Sequence, residues 1–300
     1  MSVALIAWAT RRIDWAEAAG RLRSASPGWL LLAIAVVALT VALTGERWRV
    51  LLARLGWPLA HALTLRFAAI GHFFNQGLPS TIGGDAMRVW LAHREGVPVG
   101  EAVRSVLLER LSGLATLLLL ALAGLPALLE RVGPGRRGIA AAILVLGGLA
   151  GLALAWLLVH ENRVLARWRW GAQLVRLAGD ARVALAHGPT LAALLALSLA
   201  SQLLLCFAVA VLARAFGAPL AALDAVLIMP IVLVLLIVPI SIAGWGLRES
   251  LMIVGLGIVG VGATDALLVS MGYGLANLVV GLGGGAWWLM AGERAPPEAA

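Results

Sequence analysis

Three sets of ionisable residues lie inside long apolar stretches of this chain: Asp85 with Arg88, Glu109 with Arg110, and Arg248 with Glu249. An ionisable group at bilayer depth costs ~2.5–3.5 kcal/mol on insertion scales, so such groups pair with one another or line a polar path. A spacing of three puts Asp85 and Arg88 on one helix face, where they can meet. Glu109 and Arg110 are adjacent, point apart and are expected to find partners on other helices, with Ser105 and Ser112 nearby. His72, Asn75 and Gln76 share a face at spacings of three and four. No further His or Cys stands at ligand spacing, so they suit helix-to-helix hydrogen bonds or a polar substrate group better than a metal. Asn277, alone in the last apolar span, reads as a packing residue.

Two of the ionisable pairs follow breaks. The first break runs Asn75-Gln76-Gly77-Leu78-Pro79-Ser80-Thr81-Ile82-Gly83-Gly84-Asp85, and the second Pro239-Ile240-Ser241-Ile242-Ala243-Gly244-Trp245-Gly246-Leu247-Arg248-Glu249. Backbone that leaves a helix inside a bilayer is tolerated only where protein or a wet cavity satisfies its polar groups. A helix restarting after Gly84 or Gly246 would aim its positive end at the break, which favours an anion. The expected site is therefore a polar cavity in which Arg88, Arg110 and Arg248 hold an anionic headgroup. Asp85, Glu109 and Glu249 tune them, and Asn75, Gln76 and Ser241 add polar contacts. Pro79, Gly83, Gly84, Pro239, Gly244 and Gly246 would form the breaks. The plainer reading is a pair of proline-kinked helices whose charges neutralise one another for folding alone.

The elements that would position these residues are membrane spans. Of 300 residues, 62% are hydrophobic and only 13% charged, and mean hydropathy is +0.97, against about 45–50% apolar and about 25% charged in globular chains. Several apolar runs reach the ~20 residues a helix needs to cross a bilayer. This excludes disordered, collagenous, coiled-coil and disulfide-scaffold classes. The clear spans are Trp29–Thr44, Ser105–Leu129, Ile139–Val159, Thr190–Ala213 and Ala266–Met290, with His61–Arg94 and Leu223–Gly262 apolar but broken. The fold expected is all-α, a polytopic membrane protein. Residues 1–26 read as an interfacial amphipathic segment, 27–159 as a first membrane half, 160–189 as an arginine-rich cytoplasmic loop, 190–291 as a second half and 292–300 as a polar tail.

All 23 basic residues are arginine, which removes Walker A and lysine Schiff-base chemistry. The net charge of +8 belongs to short loops between spans, where arginine sets orientation and touches headgroups, so nucleic acid is not an expected partner. Cys206 is the lone cysteine, so no intrachain disulfide forms. There is no catalytic triad, HExxH or CxxC pattern, and neither a cofactor nor enzymatic activity is expected. Gly255-Leu256-Gly257-Ile258-Val259-Gly260 spells a dinucleotide pattern without its strand or its downstream acidic residue. Close helix packing accounts for it, as for 281–285 and 147–151.

An internal repeat relates the broken regions. Leu52-Ala53-Arg54 recurs as Leu212-Ala213-Arg214, and Gly56, Pro58, Leu59 and Ala60 as Gly217, Pro219, Leu220 and Ala221. Pro79, Gly84 and Arg88 recur as Pro239, Gly244 and Arg248. Blocks in one order at nearly one offset favour two equivalent halves. Arginine excess places 160–187, and the stretch holding Arg47, Arg49 and Arg54, in the cytoplasm. With 61–94 dipping into the membrane and returning, the halves come out inverted.

The runs Asn75-Gln76-Gly77-Leu78-Pro79, Gly83-Gly84-Asp85-Ala86-Met87-Arg88 and Ser105-Val106-Leu107-Leu108-Glu109-Arg110 resemble the transmembrane region of lysylphosphatidylglycerol synthases and their stand-alone relatives. Pro239, Ser241, Gly244, Gly246, Arg248 and Glu249 match that family's second signature, and Arg47-Trp48-Arg49 also fits. The resemblance implies lipid translocation, since the membrane region of the two-part synthases looks like a flippase while a soluble domain transfers the aminoacyl group. Stand-alone relatives resemble carriers of phospholipid, polyprenyl-linked or hopanoid-type lipids. The chain ends soon after Trp288, and no soluble catalytic domain is expected. A flippase of a bacterial cytoplasmic membrane is thus the leading expectation. The rivals are an integral-membrane enzyme acting on a lipid phosphate, with the carboxylates as acid and base, and a non-transporting subunit partnered with lipid-biosynthesis enzymes.

Overall fold

The computed structural model describes residues 15–77, 82–131, 169–236 and 246–292; among them the chain is helix and turn without a strand. The helices are α1 Trp15–Arg23, α2 Pro27–Arg54, α3 His61–Gly77, α4 Ile82–Arg94, α5 Val99–Arg131, α6 Arg169–Leu185, α7 Gly188–Phe216, α8 Ala222–Leu236, α9 Leu247–Ile258 and α10 Ala263–Met290. Four of them, α2, α5, α7 and α10, are long and apolar enough to cross a membrane. At 1.5 Å per residue each exceeds the ~30 Å hydrocarbon thickness. Leu31, Leu39, Leu119, Leu199, Phe207 and Leu282 stand exposed on them, a distribution suited to lipid contact. These are four of the five expected spans. The fifth, Ile139–Val159, lies outside the described residues, as do Pro79, Pro239, Ser241 and Gly244.

α2 and α7 pack along their lengths in opposite directions. Ser26 N donates to Ala215 O at 3.0 Å at one end, Arg214 lies 5.5 Å over Trp29 nearby, and Arg47 Nη1 reaches Ser198 Oγ at 3.2 Å toward the other. Both helices end alike. Gly56 (φ +91°) and Gly217 (φ +70°) adopt the left-handed conformation. The next amide reaches back across the cap each time, Trp57 N to Leu52 O at 2.9 Å and Ala218 N to Ala213 O at 2.8 Å. Glycine is favoured there because a side chain at positive φ is strained. The repeated sequence blocks thus encode one repeated stop signal.

Each stop leads into a pair of short helices, α3 with α4 and α8 with α9, whose members pack on each other. None exceeds 17 residues, about 25 Å, too short to cross a membrane alone. The first pair closes where glycines meet: a Cβ on Gly84 would run into the Gly71 carbonyl and the Asn75 side chain. The second closes at Gly255, where a Cβ would lie 3.0 Å from methyls of Ile228 and Val232. Small residues also bring α10 onto α3, with a Cβ on Gly284 colliding with the Ala69 carbonyl and one on Gly285 reaching the Phe73 ring at 2.8 Å. Gly255, Gly281, Gly284 and Gly285 thus serve packing, whereas Gly257, Gly260 and Gly283 have open space where a Cβ would stand. The α3–α4 pair begins and ends beside the C-terminal end of α2, where Trp48, Leu52, Phe67, Leu91, Ala92 and Val97 form one buried cluster.

Three expectations change. α2 continues past Thr44 to Arg54, so Arg47, Arg49 and Arg54 belong to a helix rather than a loop. Gly45 does not break the helix but lets it pack on α3, where a Cβ would lie 3.0 Å from the Thr64 carbonyl, and the charges are met, Arg49 by Glu46 at 2.6 Å and Arg47 by Glu109. Much of the expected 160–189 loop is helix α6, seated through Leu177, Ala181 and Ala184 on Leu51, Leu108 and Leu194. Its arginines hid an apolar face at spacings of four and three. Finally, α4 starts at Ile82, so Gly83 and Gly84 lie in its first turn instead of before it. Packing against Gly71 overrides glycine's low helix propensity. Of the N-terminal segment, α1 lies across the bundle end, where Arg21 Nη1 donates to Gly217 O at 3.0 Å and Nε faces Asp265 at 3.4 Å.

Candidate functional site

Five ionisable side chains from α2, α4 and α5 meet, with Arg47, Arg88 and Glu109 buried, Asp85 partly buried and Arg110 at the exposed edge. Glu109, 2% exposed, is the hub. Its Oε1 accepts Arg47 Nε at 2.8 Å and Arg47 Nη2 as well, and its Oε2 accepts Arg88 Nη1 at 3.1 Å. Asp85 Oδ1 lies 3.6 Å from Arg88 Nη1, one helical turn away. Asp85 also takes Arg110, through Nε and, at 3.0 Å, through Nη2. The expected i, i+3 pair is present, and Glu109 and Arg110 do turn apart to partners on other helices. Gly71 leaves room for the Arg88 stem, since a Cβ there would stand 2.9 Å from Arg88 Cγ.

Arg88 sits against an ordered wall. Its guanidinium carbon lies 4.4 Å from the centroid of the fully buried Trp48 ring. Trp48 Nε1 donates to Ser105 Oγ at 2.9 Å, and Ser105 in turn donates to Ala102 O at 2.8 Å, which fixes the indole. A cation over a desolvated indole gains ~0.5–2 kcal/mol. That does not replace hydrogen bonds, and Arg88 lacks them on one edge: among the described residues neither Nε nor Nη2 has a partner, and both are buried. An unsatisfied buried donor costs ~1–3 kcal/mol, more on a charged group. The electrostatic count agrees. Three guanidiniums, Arg47, Arg88 and Arg110, face two carboxylates, Asp85 and Glu109, leaving one positive charge in excess when all are ionised.

α9 and α10 build a different cluster. Arg248 donates to Glu249 Oε1 from Nε at 3.1 Å and Nη2 at 2.7 Å, and Ser270 Oγ from α10 reaches the same oxygen at 3.3 Å. Glu249 Oε2 accepts the Gly246 amide at 2.5 Å, so this carboxylate also caps the start of α9. The helix does restart after Gly246. Its positive end is occupied by the protein's own carboxylate, however, and Arg248 turns its two-nitrogen edge to that same group.

The remaining expected residues tie helices together. Asn75 Oδ1 accepts the Gly84 amide at 3.0 Å and so clasps the first hairpin. His72 Nε2 lies 3.2 Å from Asn277 O on α10, and Gln76 Nε2 stands 3.5 Å from that same ring nitrogen. Asn277 Nδ2 bonds Tyr273 O within its own helix, at 2.8 Å. No group of three or more His, Cys, Asp or Glu suited to a metal occurs among the described residues. Sequence reasoning did not place Arg47, Trp48, Ser198 or Ser270 in the site. The first two carried a signal, an Arg-Trp-Arg run in an otherwise apolar helix; the serines carried none.

Long apolar helices, two short hairpins and a buried ionic cluster define a multi-pass helical membrane protein with a charged interior. The chain belongs to the family described as the lysylphosphatidylglycerol synthase TM region, whose model matches residues 1–285. No curated protein matches the chain.

Proposed function

We propose that the protein moves a lipid with an anionic or polar headgroup across a bacterial cytoplasmic membrane, and that the Arg47–Asp85–Arg88–Glu109–Arg110 cluster receives the headgroup. The observation that carries this reading is the positive excess of a cluster with a buried centre: Arg47, Arg88 and Glu109 are buried, Arg110 stands at the exposed edge, and buried Arg88 shares its two carboxylates with two other guanidiniums, a costly arrangement for a bundle built only for stability. Membership of a family named for lipid synthases supports a lipid as the cargo. The α3–α4 hairpin, with both ends beside the end of α2, suits a re-entrant element that lines a path instead of crossing. The antiparallel α2 and α7, with their matching caps, favour two inverted halves around it.

Both carboxylates of the cluster are held by arginine, an arrangement that favours binding over proton transfer. The test is reconstitution of the purified chain in vesicles carrying a labelled phospholipid. The expected outcome is a change of lipid sidedness with the lipid chemically unchanged by mass spectrometry. A chemically new lipid that depends on the protein would instead identify an enzyme.

A further inference from the structure

The four arginines of the two clusters differ in one respect. A guanidinium presents its Nε and Nη2 hydrogens side by side, a fork that matches two oxygens of one anion. Arg47 gives that edge to Glu109, Arg110 gives it to Asp85, and Arg248 gives it to Glu249. Arg88 spends Nη1 on Glu109 and leaves the fork without a partner among the described residues, with 5% of its side chain exposed. Its stem is held over Gly71 and its face against Trp48, so the edge is fixed without being filled.

We propose that the Nε–Nη2 edge of Arg88 is the point of contact with the cargo. The cargo would present one singly charged, two-oxygen anion with no cation beside it, a phosphodiester group. This rests on the reading that the cluster receives a lipid headgroup, and it adds the charge class. One excess positive charge is neutralised by one negative charge, whereas a phosphomonoester dianion would overshoot. An ammonium beside the phosphate would find no carboxylate to pair with in this cluster, because Asp85 and Glu109 are already held by Arg110, Arg47 and Arg88. Arg248 is not a second equivalent contact, because its fork is closed by Glu249. The two halves therefore play unequal parts, one binding and one held shut by its own carboxylate.

The experiment uses the full chain in phosphatidylcholine nanodiscs and measures displacement of a fluorescent phosphatidylglycerol probe. The competitors are unlabelled phosphatidylglycerol, its lysyl ester and phosphatidic acid, and lipid translocation is measured in parallel vesicles. The expected result is that phosphatidylglycerol competes at least about tenfold better than the lysyl ester or phosphatidic acid. Arg88→Gln should lose at least about tenfold in affinity, as expected for a charge-assisted two-pronged bond. Arg88→Lys should fall between, since it keeps the charge without the fork. Thermal unfolding of each variant shows that the comparison is made on folded protein. Equal competition by the lysyl ester, or full affinity in a folded Arg88→Gln, overturns the proposal. Translocation without that selectivity removes the charge class and leaves the transport reading standing. Selective binding without translocation does the reverse.

Discussion

Glu109 is the residue on which the buried cluster depends, because one carboxylate bridges two guanidiniums that face it from different helices. Glu109→Gln keeps the shape and removes the charge, leaving Arg47 buried without a carboxylate and Arg88 with Asp85 alone, 3.6 Å away. Breaking a buried pair in this way costs ~3–5 kcal/mol. The expected outcome is a clear fall in thermal stability, read by unfolding of the purified protein in detergent. Adding Arg47→Met to Glu109→Gln should recover part of the loss, since it removes one of the stranded charges. A Glu109→Gln variant as stable as the parent would mean that the cluster is solvated in place. Much of this was legible in the sequence: charged residues in apolar runs must be paired, and adjacent residues cannot share a partner on one helix face. Arg47 was not legible as a partner, because its charge looks like a loop signal until the helix is seen to run on to Arg54. Nor does any sequence pattern distinguish the fork of Arg88 from that of Arg248, since the distinction is made by Glu109 and Glu249 in three dimensions.

At the scale of the elements, glycine decides where helices can touch. Gly84 and Gly284 each sit where a methyl group would strike a backbone carbonyl, of Gly71 and of Ala69, while Gly283 has nothing within 4 Å. Neighbours in sequence should therefore respond in opposite ways. Gly284→Ala and Gly84→Ala should lower stability by about 1–3 kcal/mol or more through overpacking against atoms that cannot rotate away. Gly283→Ala should be neutral or slightly stabilising, by up to ~1 kcal/mol, because it improves helix propensity in open space. Thermal unfolding of the three variants checks this, and a loss in Gly283→Ala equal to that in Gly284→Ala would count against the helix crossing described. The four long spans and both hairpins could be read from apolar runs and their proline–glycine breaks. Helix α6 escaped because its many arginines outweighed the Leu177–Ala181–Ala184 stripe that seats it. The start of α4 was misplaced because glycine was read as a breaker where it serves as a contact.

For the molecule as a whole, the antiparallel packing of α2 on α7 fixes which ends share a side. The α2–α3 turn, the α4–α5 turn and the start of α7 lie at one end; α1, the α7–α8 turn and the start of α10 lie at the other. On a Cys206→Ser background, cysteines at Ala60, Glu95 and Ala186 should be labelled from one side of intact cells and those at Ser24 and Ala221 from the other. The arginine-rich end that includes α6 should be cytoplasmic. Labelling of Ala60→Cys and Ala186→Cys from opposite sides would contradict the arrangement. Within that frame the central claim is that a lipid headgroup passes through the Arg88 cluster. The most direct measurement is the rate at which labelled phosphatidylglycerol becomes accessible on the opposite leaflet of vesicles containing the purified parent chain, Arg88→Lys or Arg88→Gln. All three must be matched for amount and folded by thermal unfolding. The account predicts protein-dependent translocation that falls in that order, with the lipid recovered unchanged. A folded Arg88→Gln protein that translocates at the parent rate would contradict it.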